Sequence, residues 1–337
     1  MQYLSFLHST DMDMIPRKIS LTLPKSWAAC TVAQLEAIAT AFMEAEIKAS
    51  FVPTDDVRIK VNLFFELAGL EVVIPAVEGE KNACVLCRRR GKEYKDEALF
   101  PIYSYQVWEW IKSELKWLDT PCSGLVVFPY PEMKLRSKGV EKCFYGACVL
   151  MQDFSWQRYR LAQDYLQLYY IQQNRLLELG RYNLKRKHNR KAFLAQGEKV
   201  AQARAQVLSM FFAVEHDVFS ERTHQMERSR DFDIDIAADN VEFFMSFDDV
   251  KFQVILMWWT GINHYMQTKY PHFFKRSSVS GSGKANPLEV YARITATLEK
   301  HIGLNEKQVN DENCHIILQH MEDIAVTNEE YEKIKNR

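Results

Sequence analysis

Residues 153 to 179 read DFSWQRYRLAQDYLQLYYIQQNRLLEL, and the repeat of their apolar positions decides the fold class. Phe154, Tyr159, Tyr165, Leu168, Tyr169, Leu176 and Leu179 include three- and four-residue steps, Tyr165 to Leu168, Tyr165 to Tyr169 and Leu176 to Leu179, and a seven-residue step from Tyr169 to Leu176, the signature of one face of a helix. Aromatic rings carry large apolar areas, so a stripe of them reads as core. The whole segment is therefore expected to be a buried helix.

Working toward the N-terminus, the texture stays mostly helical. Thr31-x-x-Gln34 is a capping box, after which Leu35, Ile38 and Phe42 repeat at helical spacing. Pro53, Thr54 and Asp55 restart the chain, Val57, Val61, Phe64, Phe65 and Ala68 line one side of a second helix, and Gly69 offers its stop. From Glu71 to Glu93, Val-Val-Ile and Val85-Leu86 between glycines read as short strands joined by turns. Val107, Trp108, Ile111, Leu115 and Leu118 mark a third helix ending before Pro121, and Leu125 to Phe128 reads as a second small β patch bounded by prolines.

Toward the C-terminus, Gly180 introduces a basic stretch, and acidic residues dominate from Glu215 to Asp249. Opposite charge blocks on neighbouring segments are expected to solvate and balance each other within an insertion. A further core helix with Phe252, Ile255, Leu256, Trp259 and Ile262 halts at Pro271, and a Ser/Gly stretch then reads as a flexible connection. Beyond it, Asn286-Pro287-x-Glu289, Asn305-x-x-Gln308 and Thr327-x-x-Glu330 each read as a helix start. The fold class expected is mainly α with small β-hairpins (α+β), a helical core with an inserted charged segment and a small C-terminal helical bundle. The expected segments are 18–180, the insertion 181–245, a core helix 246–274 completing the first domain, a linker 275–285 and a module 286–337.

A chain of 337 residues suits two folded units, or one with a large insertion. Lys+Arg 43 balances Asp+Glu 44, so any preference for nucleic acid or an anionic membrane must be local. No apolar run approaches the roughly 18 to 20 residues of a membrane helix. Met1 to Ser9 lacks the features of an export signal, so the seven cysteines are expected to be reduced thiols in the cytoplasm.

Candidate chemistry is sparse. Asp231, Asp233, Asp235, Asp239 and Glu242 fall at positions 1, 3, 5, 9 and 12 of a calcium loop, but Ile236 stands where the sharp turn needs glycine. The alternation of Phe232, Ile234 and Ile236 favours a strand or an acidic loop. Cys84 and Cys87 have zinc-ligand spacing, with Cys143 and Cys148 as a loose second pair. Gly281-x-Gly283-Lys284 lacks the upstream glycine and the hydroxyl of a phosphate loop. Histidine and serine motifs for metal or nucleophilic catalysis are missing. No enzymatic function and no cofactor are expected. Arg181, Lys185, Arg186, Lys187, Arg190 and Lys191, with Tyr182 and His188 between them, are the candidate contacts to nucleic-acid phosphates, against the plainer reading of a solvated helix face.

Four stretches carry a resemblance: Leu21-Thr-Leu-Pro-Lys-Ser-Trp27 with the Thr31 helix, Trp117-Leu-Asp119, His264-Tyr-Met-Gln-Thr-Lys-Tyr-Pro-His-Phe-Phe274, and the module beginning Asn286-Pro-Leu-Glu289. In these the chain resembles uncharacterised proteins encoded in the tail-gene region of phages and prophages of Bacteroides-type bacteria. The stretches are caps and apolar stripes, and residues 181 to 245 have no counterpart. The resemblance implies an interaction protein of tail assembly, a chaperone or a virion component, with other tail proteins such as the tape-measure or tube protein as partners. It implies the cytoplasm of a bacterial host, or the virion, as the place of action.

Overall fold

The computed structural model describes residues 2–8, 17–49, 56–75, 84–91, 99–120, 122–182, 184–220, 222, 224–279 and 287–335. It is mainly α with small antiparallel sheets, as the periodicity requires. The chain divides into two compact units, residues 1–129 with 248–265, and residues 130–247 with 266–337.

In the first unit β1 (Gln2–His8) pairs antiparallel with β2 (Arg17–Leu23). Helix α1 (Val32–Ala49) starts from the expected box: the Gln34 amide donates to Thr31 Oγ1 at 3.3 Å, and the Thr31 amide to Gln34 Oε1 at 2.9 Å. The same Gln34 side chain donates to the Leu67 carbonyl at 3.1 Å, fastening α1 to the end of α2 (Asp56–Leu67). Gly69 stops α2 in a left-handed conformation, φ +67°, that a side chain would resist. Strands β3 (Leu70–Ile74), β4 (Cys84–Arg89) and β5 (Phe100–Tyr103) form an antiparallel meander leading into α3 (Ser104–Glu114). Leu35, Ile38, Leu63, Phe64, Ile102 and Ile111 make up much of this unit's core. Trp27 stands edge-on to Trp117 and donates to the Thr120 carbonyl at 3.0 Å.

The second unit opens with a hairpin, β6 (Glu132–Ser137) and β7 (Val140–Gly146), turned by Lys138 and Gly139, both at positive φ. Two such residues in a two-residue loop match the right-handed twist of the strands they join. Helices α4 (Trp156–Gly180) and α5 (Lys187–Phe211) follow as an antiparallel pair, and β8 (Phe212–Val214) completes the sheet β6-β7-β8. Strands β9 (His216–Ser220) and β10 (Gln225–Ser229) form a separate ribbon. Next comes α6 (Ile234–Asp239), where the expected strand gives way to a helix. Asp233 caps it, its Oδ1 accepting from the amides of Asp235 and Ile236 at 2.9 and 3.0 Å, and two satisfied helix-start donors outweigh a weak alternation. Phe144, Phe212, Phe243 and Phe244 then close over the sheet, with Phe144 and Phe244 centroids 4.8 Å apart.

Helix α7 (Asp249–Lys269) belongs to the first unit as far as Tyr265. Its Gly261 lets the backbone of the 122–125 turn approach so closely that a Cβ would lie 2.5 Å from the Leu125 carbonyl oxygen. Phe128 packs edge-on against Trp258 at 4.7 Å. Residues 125–128 are thus an irregular segment held against α7, which corrects the expected β patch; left-handed Cys122 and Gly124 bend the chain just before it.

The last helices are α8 (Pro271–Val279), α9 (Pro287–Ile302), α10 (Glu306–Asp311) and α11 (Cys314–Lys335). The Asn305–Gln308 box forms as expected, with both bonds near 3 Å. Thr327 starts no new helix: it lies inside α11 and bonds back to the Asp323 carbonyl at 2.8 Å. The expected Asn286 cap and residues 280–285 of the expected linker lie outside the described residues; Lys275 to Val279 are helical. The C-terminal helices also share a unit with α4. The Cys314 amide donates to the Phe154 carbonyl at 2.9 Å, the Trp156 amide to the Glu312 carbonyl at 2.7 Å, and Ile317 and Leu318 are buried. Boundaries between the units therefore fall after residues 129, 247 and 265, where the sequence segments changed after 180, 245, 274 and 285.

Candidate interaction surface

The α4–α5 pair is two helices in one. Near its base α4 buries Trp156, Tyr159, Ala162 and Leu166, and α5 buries Ala203, Ala205, Val207 and Leu208. Between Gln167 and Ala195, by contrast, no described residue is buried. There the helices meet only along a half-buried seam that includes Leu176, Leu179 and Phe193, and Gln196 donates across it to the Gln172 carbonyl at 2.9 Å. The expectation of core for the entire 153–179 stripe is corrected accordingly: the first half is core, and the second half is the wall of a two-helix projection.

What this end displays is both apolar and basic. Tyr170, Ile171, Leu177, Tyr182 and Leu194 are 49, 42, 55, 61 and 57% exposed. All six residues expected to contact nucleic acid, Arg181, Lys185, Arg186, Lys187, Arg190 and Lys191, lie exposed at the turn and on the first turns of α5. Arg175 adds to them, and Glu178 is the one carboxylate between residues 168 and 195. Spacing interleaves the two kinds of group. Tyr170, Leu177 and Arg181 follow at seven and four residues along α4, and Lys187, Lys191 and Leu194 at four and three along α5, so each row shares a helix face.

The α6 part of the acidic block lies far along α5 from this charge. Residues of α6 and the following turn pack on the far part of α5, where Arg204 donates to the Met245 carbonyl at 3.2 Å and Phe212 stacks on Phe244. Lys187 and Arg204 are about 25 Å apart along the helix axis, well beyond the roughly 8–10 Å over which exposed charges act in physiological salt. Screening of Lys187 by α6 is therefore not to be expected.

The other candidate residues are engaged singly, with Asp235 and Asp239 on α6. Asp233 is engaged as a cap, Asp231 accepts from Ser229 Oγ at 2.8 Å, and Glu242 pairs with Lys138. Cys84 and Cys87, three apart on a strand, point to opposite faces. They lie in the first unit, while Cys143 and Cys148 lie in the second. Among the described residues no group of three His, Cys, Asp or Glu side chains is placed to hold a metal ion. The Gly281–Lys284 stretch lies outside the described residues. Burial pushes the thiols of Cys30, Cys87, Cys122 and Cys314 up to about 12, the character of packing groups rather than nucleophiles.

One open cavity of about 540 Å³ lies in the second unit, lined in part by Tyr145, Cys148, Asp153, Arg230 and Phe232. Its charges are already engaged. Arg230 lies 3.9 Å over the Tyr145 ring and near Glu215, and Asp153 is bound to the buried Arg158 guanidinium at 2.8 Å. Burial and the Asp153 carboxylate both hold the Cys148 thiol up. Among the described residues no helix is long and apolar enough to cross a membrane. No family model, curated protein or solved structure matches the chain.

Proposed function

We propose that the protein is a non-catalytic interaction protein that works in assembling a phage or prophage tail, as chaperone or accessory component of the particle. The single observation that carries an interaction role is the end of the α4–α5 hairpin, which displays apolar and basic side chains over a stretch with no buried residue among those described. Exposed leucine and tyrosine beside arginine is the composition of contact surfaces rather than of solvated faces. The placement in tail assembly rests on the resemblance of the four stretches named above. The test is a pull-down of the purified chain with the products of neighbouring tail genes, beside a variant carrying Leu177→Ser and Arg186→Glu. Retention of a tail protein by the parent and its loss by the variant are expected; no association with any of them refutes the assembly role.

A second reading, nucleic-acid binding, is favoured by the clustering of all six basic candidates at the hairpin end. It predicts DNA affinity that falls steeply with salt, since phosphate contacts release counterions. Salt-insensitive or absent binding refutes it.

A further inference from the structure

We infer that the β9–β10 ribbon pairs with the ribbon of a second copy of this chain, face to face across a two-fold axis that runs along the strands. The register places Asp217 opposite Arg228 and Phe219 opposite Met226. Residues directly opposite on antiparallel strands share a face, as do residues two apart, so these four side chains make up one surface. All four are exposed, Phe219 by 56% and Met226 by 63%. The Phe219 ring meets His224 in the ribbon's own turn, with centroids 6.5 Å apart. Among the described residues the ribbon has no third strand, and a two-stranded ribbon open to water is marginal without further packing.

The pattern of this face is what names a second copy as its occupant. On it β9 carries the acid and the aromatic ring, and β10 the arginine and the thioether. Rotation about an axis along the strands lays β9 of each copy over β10 of the other at the same height. Each cross-strand pair is then repeated between copies: Asp217 of one meets Arg228 of the other, Phe219 meets Met226, and both contacts occur twice. An axis across the strands would instead lay β9 on β9 and bring no opposite charges together. The other face of the ribbon lacks this match, with Val218 opposite Glu227 and His216 opposite Ser229. One ribbon face is well below the roughly 800 Å² per partner of a standard interface, so the dimer is weak, with a dissociation constant on the order of 100 µM. This surface lies on other elements than the α4–α5 end, and the pairing holds whether or not a tail protein binds there.

The test is sedimentation velocity on the full chain, from about 5 to about 500 µM in about 0.1 M salt. The parent is expected to pass from monomer to dimer across that range. Phe219→Ser should weaken the dimer at least about tenfold, because the symmetric contact loses the ring twice, and circular dichroism checks that each variant keeps its fold. Asp217→Arg leaves two cations on the face and Arg228→Asp two carboxylates, so each variant alone should stay monomeric. Mixed in equal amounts, the two regain opposite charges across the axis and should form a heterodimer at least about tenfold tighter than either homodimer. A parent still monomeric at about 500 µM overturns the proposal, as does a dimer that ignores Phe219→Ser and so lies on another surface. Mixing that yields no heterodimer also overturns it, since an axis along the strands requires one. If the parent is monomeric and a tail-gene product is retained only while Phe219 and Met226 are present, the occupant is a partner's strand and the second copy is refuted. If the dimer forms as expected while every tail-gene product fails in the pull-down, the pairing stands and the assembly role falls.

Discussion

Arg158 is 1% exposed in the first turns of α4, sandwiched between Phe154 and Phe232, whose ring centroids lie 3.8 and 4.2 Å from its guanidinium carbon. Its Nε donates to the Met210 carbonyl at 2.7 Å and its Nη1 to Asp153 at 2.8 Å, and Nη2 has no partner. Burial lowers its pKa from the usual arginine range to about 10 although Asp153 opposes the drop, a folding cost of about 3 kcal/mol at neutral pH. Removing the counter-charge by Asp153→Ala should therefore cost about 3–5 kcal/mol, the range for a buried charge left alone. Arg158→Met removes the cost itself and keeps an apolar body between the two rings. It forfeits about 1–3 kcal/mol at the Met210 carbonyl, so its net effect should be within about 2 kcal/mol of zero. The double variant should fall about 1 kcal/mol below Arg158→Met, because Asp153 also accepts from the Cys148 amide at 2.8 Å, which leaves a coupling of about 2–4 kcal/mol between the sites. Urea unfolding followed by tryptophan fluorescence and far-UV circular dichroism measures all three. Effects that add to within about 0.5 kcal/mol, or an Arg158→Met that is worse than Asp153→Ala, would refute this account of the buried pair.

Three further outcomes are expected. Glu322 on α11 is buried and caps α8, its oxygens accepting from the His272 and Phe273 amides at 3.1 and 2.8 Å. Glu322→Ala should cost about 2 kcal/mol and speed hydrogen exchange at those two amides. Gly261→Ala should destabilise by about 1–3 kcal/mol despite alanine's better helix propensity, because the new methyl meets two backbone carbonyls; unchanged thermal stability would refute the close approach. His315 accepts from the Tyr270 hydroxyl at Nδ1 and donates from Nε2 to the Leu150 carbonyl at 2.7 Å, and burial holds its pKa below the usual histidine value. A base with a depressed folded pKa gives its stability in full above about pH 6.5 and loses it as pH falls toward the folded value. Urea midpoints should thus drop on acidification, and less so in His315→Gln.

The parts legible in the sequence are those fixed by local hydrogen bonding. Thr31 with Gln34 and Asn305 with Gln308 form their boxes because each needs only residues three apart, and Gly69 ends α2 because glycine takes a left-handed φ without the strain a side chain brings. Failures occur where the outcome depends on what lies across from a residue. The 153–179 stripe has one helical period throughout, yet what covers its two halves differs, and periodicity carries no record of that. The basic residues were legible as a cluster, but their distance from the acidic block is set by the length of α5, invisible until the helix is seen to run unbroken from Lys187 to Phe211. Residues 132–146 held an unread signal: Lys138-Gly139 between short alternating runs is hairpin chemistry. The exposed apolar rows of the projecting end were missed because every one of those residues also suits a core.

The length of the hairpin is itself testable. Ordering a residue costs about 1–2 kcal/mol of backbone entropy, and the stretch from 173 to 195 recovers little through burial, since none of its described residues is buried. Gln172 and Gln196 already bond across the pair, so a four-residue glycine-containing turn can replace 173–195 there, within the range of natural helix–helix connections. The shortened chain should keep cooperative unfolding of the second unit and lose no more than about 2 kcal/mol, while losing partner capture altogether. A loss well above that, with melted helices, would make the projection a structural support. Retained stability with lost capture would mean that these residues are ordered for the sake of contact with another molecule, since the fold itself gains almost nothing from them.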